Sequence, residues 1–361
     1  MLKPTPAEDL SAHAGSTHDR SRTRGLVALG IAFLLTAFLS LSVGPSGITL
    51  LSLPQVLGEV TGYSVGTGGH EALVLLDIRL PRTLLAMYVG AALAVSGAIM
   101  QGMFRNPLAD PGLIGVSSGA ALFAVGMIAF GDAYLPTLKA LLGVHALPIA
   151  AFVGGLSATL LLVSLTNGRR AISTGTLLLA GVALAALASA LMGVAAYLSD
   201  DRALRDLTLW TLGSLAGASW SKVIGALPFA LVLGIFLPRM IRDLNGLLLG
   251  EAEAYHLGVN VQRAKMVIVF VTAGAVGAAV AVAGIVGFIG IVTPHIIRLV
   301  AGPDHRFLLP ASALLGGTLA VGADMVARVA VAPAELPLGI ITALIGAPFF
   351  LHLVLRRGVH G

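Results

Sequence analysis

The chain has no cysteine among its 361 residues, which removes disulfides, thiolate metal sites and cysteine nucleophiles together. Charge is nearly as scarce. Asp, Glu, Lys and Arg make up 11% of the residues against 57% apolar ones, too few to clothe a water-soluble globule of this length. A mean hydropathy of +0.95 points the same way, into a membrane. The net charge of +5 would suggest a nucleic-acid partner only if the basic residues shared a soluble face, and they flank apolar runs instead. No nucleic acid is expected. Also missing is any GxxxxGK[ST] phosphate loop, since Lys3, Lys139, Lys222 and Lys265 all lack a preceding glycine. The nine histidines show neither HExxH nor paired-ligand spacing, so neither a metal nor a cofactor bound by this chain is expected.

What is present is apolar length and glycine. The 45 glycines suit helices that pack backbone against backbone in lipid through small residues, although a single match such as GLLLG (246–250) is cheap in so glycine-rich a chain. Apolar runs near 26–43, 83–103, 113–131, 146–166, 172–198, 223–239, 264–284, 285–301, 308–328 and 338–355 are each about long enough to span a bilayer core. The first run follows Arg20, Arg22 and Arg24. It exceeds a signal-peptide core and lacks a convincing small-residue cleavage site, so it predicts an uncleaved span with a cytoplasmic N-terminus. Ten crossings return the C-terminus to the same side. Of the 22 Lys and Arg, only Arg79, Arg82, Lys139, Arg202, Arg205, Lys222 and Arg328 then fall outside, in keeping with the bias of positive charge toward the cytoplasm.

The expected fold is therefore all-α: a polytopic membrane protein of about ten transmembrane helices, with a polar tail at 1–24 and a permease domain at 25–361. GAALAVSGAI (90–99) echoes GAAVAVAGIV (277–286) five spans later, an odd offset that places the copies in opposite orientation. An inverted repeat would relate the second-to-fifth spans to the seventh-to-tenth.

Several blocks carry a resemblance. They are RLPRTLLAMYVGAALAVSGAIMQGMFRNPLADPGLIGVSSG (79–119), LLLAGVAL (177–184), LGEAEAYHLGV (249–259), GFIGIVTPHIIRL (287–299), DHRFLLP (304–310) and ADMVARVAVAPAELPLGIITALIGAPFF (323–350). In that order the chain resembles the permease subunits of bacterial ABC importers for iron chelates, haem and vitamin B12. The resemblance implies a second copy of the chain, two cytoplasmic ATPase subunits that bind ATP and Mg, and a periplasmic substrate-binding protein. The cargo would be haem or a ferric siderophore, with haem favoured by the FRNPLADPG turn, because the vitamin B12 members carry an acidic residue where Arg105 stands. Vitamin B12 is the alternative.

Site residues follow from the same match. Arg79, Arg82 and Arg328 lie at the predicted outer ends of two distant spans, and the resemblance implies that they dock glutamates of the binding protein; a planar guanidinium donates two parallel bonds to such a partner. The bland alternative is local pairing, since Asp324 precedes Arg328 by one helical turn. The polar segment 250–262 is too polar to cross, and its Glu251, Tyr255, His256, Leu257 and Gly258 would couple to the ATPase, unless it is an ordinary loop. Asn106 and Leu108, with Thr174 and Gly175, match positions that narrow the cytoplasmic end of the pathway, although Gly175 departs from the family's serine and turn chemistry alone explains Asn106.

Two other classes are tested by the residues themselves. GVSSG (115–119) matches the GxSxG of serine hydrolases, with His295 as a conceivable base, but that motif needs a strand-turn-helix junction and Ser117 and Ser118 open a helical run. An ion-coupled secondary transporter would carry ionisable residues deep in its spans, and here almost none lie there besides Asp324 and His295.

Overall fold

A computed structural model describes residues 6–44, 72–166 and 174–358, with side chains for 21–44, 72–165, 175–352 and 355. Among these residues there are helices and turns and no strand. The helices are α1 (Pro6–Ser42), α2 (Leu80–Phe104), α3 (Val116–Tyr134), α4 (Pro136–Leu142), α5 (Ala146–Thr166), α6 (Thr174–Tyr197) and α7 (Asp201–Thr211). They continue with α8 (Trp220–Leu249), α9 (Glu251–His256), α10 (Val261–Ala283), α11 (Ile289–Ala301), α12 (His305–Val329) and α13 (Leu338–Gly358). Eight helical stretches are long and apolar enough to cross a membrane, and α11 and part of α13 add two shorter apolar ones. Helix α1 runs unbroken from Pro6 through the stretch expected to be a polar tail and on into the first apolar run.

Helix α2 is the hub. It packs against α12, α10, α11 and α8, and 78% of its apolar window is buried, against 17% in α6 and in α8. Those two helices, with α1 at 6%, therefore form the periphery. Glycine lets the hub close. A methyl at Gly97 would overlap the Gly290 carbonyl oxygen, and one at Gly90 would overlap that of Gly316, so backbones meet at both crossings.

The repeat is visible in which helices touch. The α2–α12 contact is mirrored by α10–α5, α3–α5 by α11–α12, α2–α11 by α10–α3, and α5–α6 by α12–α13. The halves diverge at one place. Gly97 sits inside α2, whereas its counterpart Gly284 ends α10 at φ +69°. The two abutting crossings expected at 264–284 and 285–301 are thus corrected: five residues outside any helix separate α10 from α11, and α11 has 13 residues. At 1.5 Å per residue it reaches about 20 Å, short of a core of about 30 Å. Glycine at 284 and the left-handed Phe288 (φ +67°) release the chain from the helix.

Candidate functional site at the two ends of the bundle

At one end, the π-helical turn Val74–Arg79 leads into α2, and it brings Arg79 and Arg82 to the last turns of α12 and α1. Arg82 donates Nε and Nη2 to Asp324 at 2.9 to 3.2 Å and Nη1 to Glu335 at 3.0 Å. Arg328 places Nη2 2.9 Å from the other Asp324 oxygen, the pair that their four-residue spacing predicts. Its Nη1 reaches the carbonyls of Ser40 and Val43, and Arg79 reaches that of Leu41. These carbonyls end α1, where orphan acceptors and the negative end of the helix dipole attract cations.

All three arginines lie at one end of the bundle, and each is paired within it. Arg79, Arg82 and Arg328 are 4%, 6% and 3% exposed, so they are not displayed as a free basic patch. The cause is supply of acceptors. Two carboxylates and three helix-terminal carbonyls lie within hydrogen-bond reach, and a buried guanidinium takes them. Glu335, which the sequence did not single out, completes the cluster; the AELP block held it, but only folding brings residues 82 and 335 together.

At the other end, α9 is a single polar helical stretch between Gly250 (φ +126°) and Gly258 (φ +82°). Ala254 is fully buried, while Tyr255 and Leu257 are 72% and 63% exposed and His256 stands edge-on to the Tyr255 ring. Glu251, Tyr255, His256 and Gly258 line an open depression of about 800 Å³, Leu257 is exposed beside it, and the half-exposed Glu251 accepts from Lys265 Nζ at 2.8 Å. Lys265, on α10, is 1% exposed and no sequence signal marked it beyond its place in an apolar run.

Nearby, Asp304 gathers three helices. Its Oδ1 accepts from the Arg306 amide at 3.0 Å and from Asn245 at 2.9 Å, and its Oδ2 pairs with Arg22 at 3.1 Å. Asn245 in turn bonds the backbone amide and ring Nδ1 of His305. Burial pushes the Asp304 carboxyl up, but the Arg306 amide, Asn245 and the Arg22 and Arg306 charges together hold it below the usual carboxylate range. The D at the start of an apolar run was a readable N-cap signal; the Asn245 and Arg22 contacts were not readable.

The turn after α2 behaves as its composition dictates. Arg105 caps the helix at φ +50°, the Asn106 side chain accepts from the Leu108 amide at 3.0 Å, and Asp110 accepts from the Gly112 amide at 2.7 Å. Burial raises the Asp110 carboxyl above its usual range, against the pull of the Gly112 bond. Leu108 is exposed. Gly175 is exposed at the start of α6, and the turn approaches that helix where Gly181 lies against the Leu113 carbonyl. Of the gate residues, the Thr174 side chain lies outside the described residues, as does the whole of 167–173. The hydrolase alternative finds no support: Ser118 donates to the Gly115 carbonyl at 3.1 Å after a 3-10 turn, with no strand before it among the described residues.

Known proteins bear the same pattern. The model of the FecCD transport family matches residues 32–356. The hemin transport system permease protein HmuU of Yersinia pestis is 46% identical over 329 residues, which is 91% of this chain and 96% of that protein. The vitamin B12 import system permease protein BtuC of an Escherichia coli strain is 42% identical over 339 residues, 94% of this chain and 97% of that one. Among solved structures, an inward-facing metal-chelate type ABC transporter is 34% identical with a TM-score of 0.79, covering 92% of this chain and 98% of its own. With eight membrane-length apolar stretches and two shorter ones among the described residues, no phosphate loop and this coverage, the chain belongs to the FecCD transport family, as a multi-pass membrane permease subunit of an ABC importer whose ATP is hydrolysed by a separate chain.

Proposed function

We propose that this permease carries haem, with a ferric siderophore as the next candidate cargo, from periplasm to cytoplasm. The observation that carries the choice is the identity to a hemin permease, 46%, against 42% to a vitamin B12 permease over nearly the same span. The basic Arg105 in the turn after α2 agrees with it. Uptake by the assembled importer in proteoliposomes, with haem, a ferric siderophore and cobalamin offered in turn, tests the reading. Accumulation of cobalamin alone would reverse it.

The same proposal includes the partners. Two copies of the chain would enclose the pathway between them, and the groove of about 510 Å³ formed by the end of α7, residues 285–288 and the first half of α13 suits the wall of such a conduit, because its lining is almost wholly apolar. Both termini and α9 would face the cytoplasm, where Glu251, Tyr255, His256, Leu257 and Gly258 meet the ATPase. Asn106, Leu108, Thr174 and Gly175 would narrow the cytoplasmic exit. The opposite end, around Arg79, Arg82 and Arg328, would receive the binding protein. ATP and Mg belong to the ATPase, and this chain binds no cofactor of its own.

A further inference from the structure

We propose that Glu335 is a built-in occupant of the docking site: it holds Nη1 of Arg82 until a carboxylate on the periplasmic binding protein displaces it. The inference rests on the docking role given to Arg82 above. The two carboxylates on Arg82 differ in kind. Asp324 is 1% exposed, lies on α12 and is shared with Arg328, so withdrawing it would strand two guanidinium groups in a dry site. That bond is permanent. Glu335 has a side chain 32% exposed, stands on the irregular stretch between α12 and α13, and engages Nη1 alone among the Arg82 nitrogens.

The backbone beside Glu335 is anchored, because the Leu336 amide donates to the Ala327 carbonyl at 3.0 Å. Release therefore needs only rotation of the Glu335 side chain into water, at a cost between that of an exposed pair and that of a buried one, because Arg82 stays paired with Asp324. Arg82 stays clamped by Asp324 throughout, so its fork keeps one orientation and presents Nη1 to whatever carboxylate replaces Glu335. The number of charge pairs is the same before and after the exchange. Docking is then reversible by construction, and the partner's apparent affinity is divided by the fraction of permease in which Glu335 has swung away. A latch closed ten to one weakens binding about tenfold.

The experiment has two arms on the full-length permease, assembled with its ATPase in nanodiscs. In the first, phenylglyoxal labelling of Arg82 is followed by mass spectrometry. Protection in the parent protein and labelling in Glu335→Gln supports the latch, and equal labelling in both overturns it. In the second, the separately purified binding protein of the same importer is titrated onto the parent, Glu335→Gln and Arg82→Gln. The latch requires roughly tenfold tighter binding to Glu335→Gln, together with weaker binding to Arg82→Gln. If Arg82→Gln weakens binding and Glu335→Gln leaves it unchanged, the latch fails and docking stands. If a folded Arg82→Gln binds as the parent does, the docking reading itself fails. Glu335→Gln alters a partly exposed residue on a turn, so its folding is secure even where Arg82→Gln is not.

Discussion

Asp324 is the residue on which the arginine end depends. It pairs with both Arg82 and Arg328 from inside α12, with both partners nearly excluded from water. Asp324→Asn keeps the shape and removes the charge, and it is expected to cost about 3 to 5 kcal/mol, the range for breaking a buried pair. Thermal unfolding in detergent measures the loss. Asp110 and Asp304 respond to pH in opposite senses. The Asp304 carboxyl is held low in the folded chain, so its stabilisation is complete above the unfolded value near 3.9 and is lost as pH falls through the folded value. Asp304→Asn should lower the melting temperature at pH 7, and the gap should close below about pH 4. The raised Asp110 carboxyl makes the folded state prefer the proton, so ionisation at neutral pH works against folding. Asp110→Asn, which can still accept from the Gly112 amide, should be neutral or stabilising at pH 7, whereas Asp110→Ala loses the cap at about 1 kcal/mol. Of these residues, only the Asp324–Arg328 pair and the two caps were legible in the sequence, because each joins neighbours along the chain. The Arg82–Asp324 bond joins residues 242 apart, and no local pattern encodes that.

At the scale of the helix, α2 is set by glycines that bring it against α11 and α12. Gly97→Val should cost about 3 kcal/mol or more, because its branched side chain meets a backbone oxygen that cannot turn aside. Gly126→Val, on a face of α3 with nothing near the added carbon, is the control and should fold as the parent does. Expression and monodispersity in detergent separate the two. Helix α11 shows where periodicity runs out. GFIGIVTPHIIRL reads as another apolar run, and its helix is cut short because Gly284 and Phe288 take left-handed backbone. An apolar run records partition into lipid, not where the chain leaves the helix.

At the scale of the molecule, the permease is a conduit whose energy comes from elsewhere. Purified alone it should hydrolyse no ATP, and in sealed vesicles it should not concentrate haem under a proton or sodium gradient. With the ATPase and binding protein present, uptake should follow ATP. Substituting the exposed Tyr255 and Leu257 by serine should lower ATPase recruitment by about 2 kcal/mol or more, as expected for central aromatic contacts, and co-purification reads it.

Class, the apolar helices, the repeat and the family came from the linear chain alone. Transfer of apolar segments into lipid and the caps of turns are local properties of consecutive residues. Folding alone decided that the three arginines turn inward onto Asp324, Glu335 and the carbonyls of α1, that Lys265 holds Glu251, and that α11 stops short. Each of those depends on which distant acceptor or backbone lies within about 3 Å, and that distance exists only once the helices have packed.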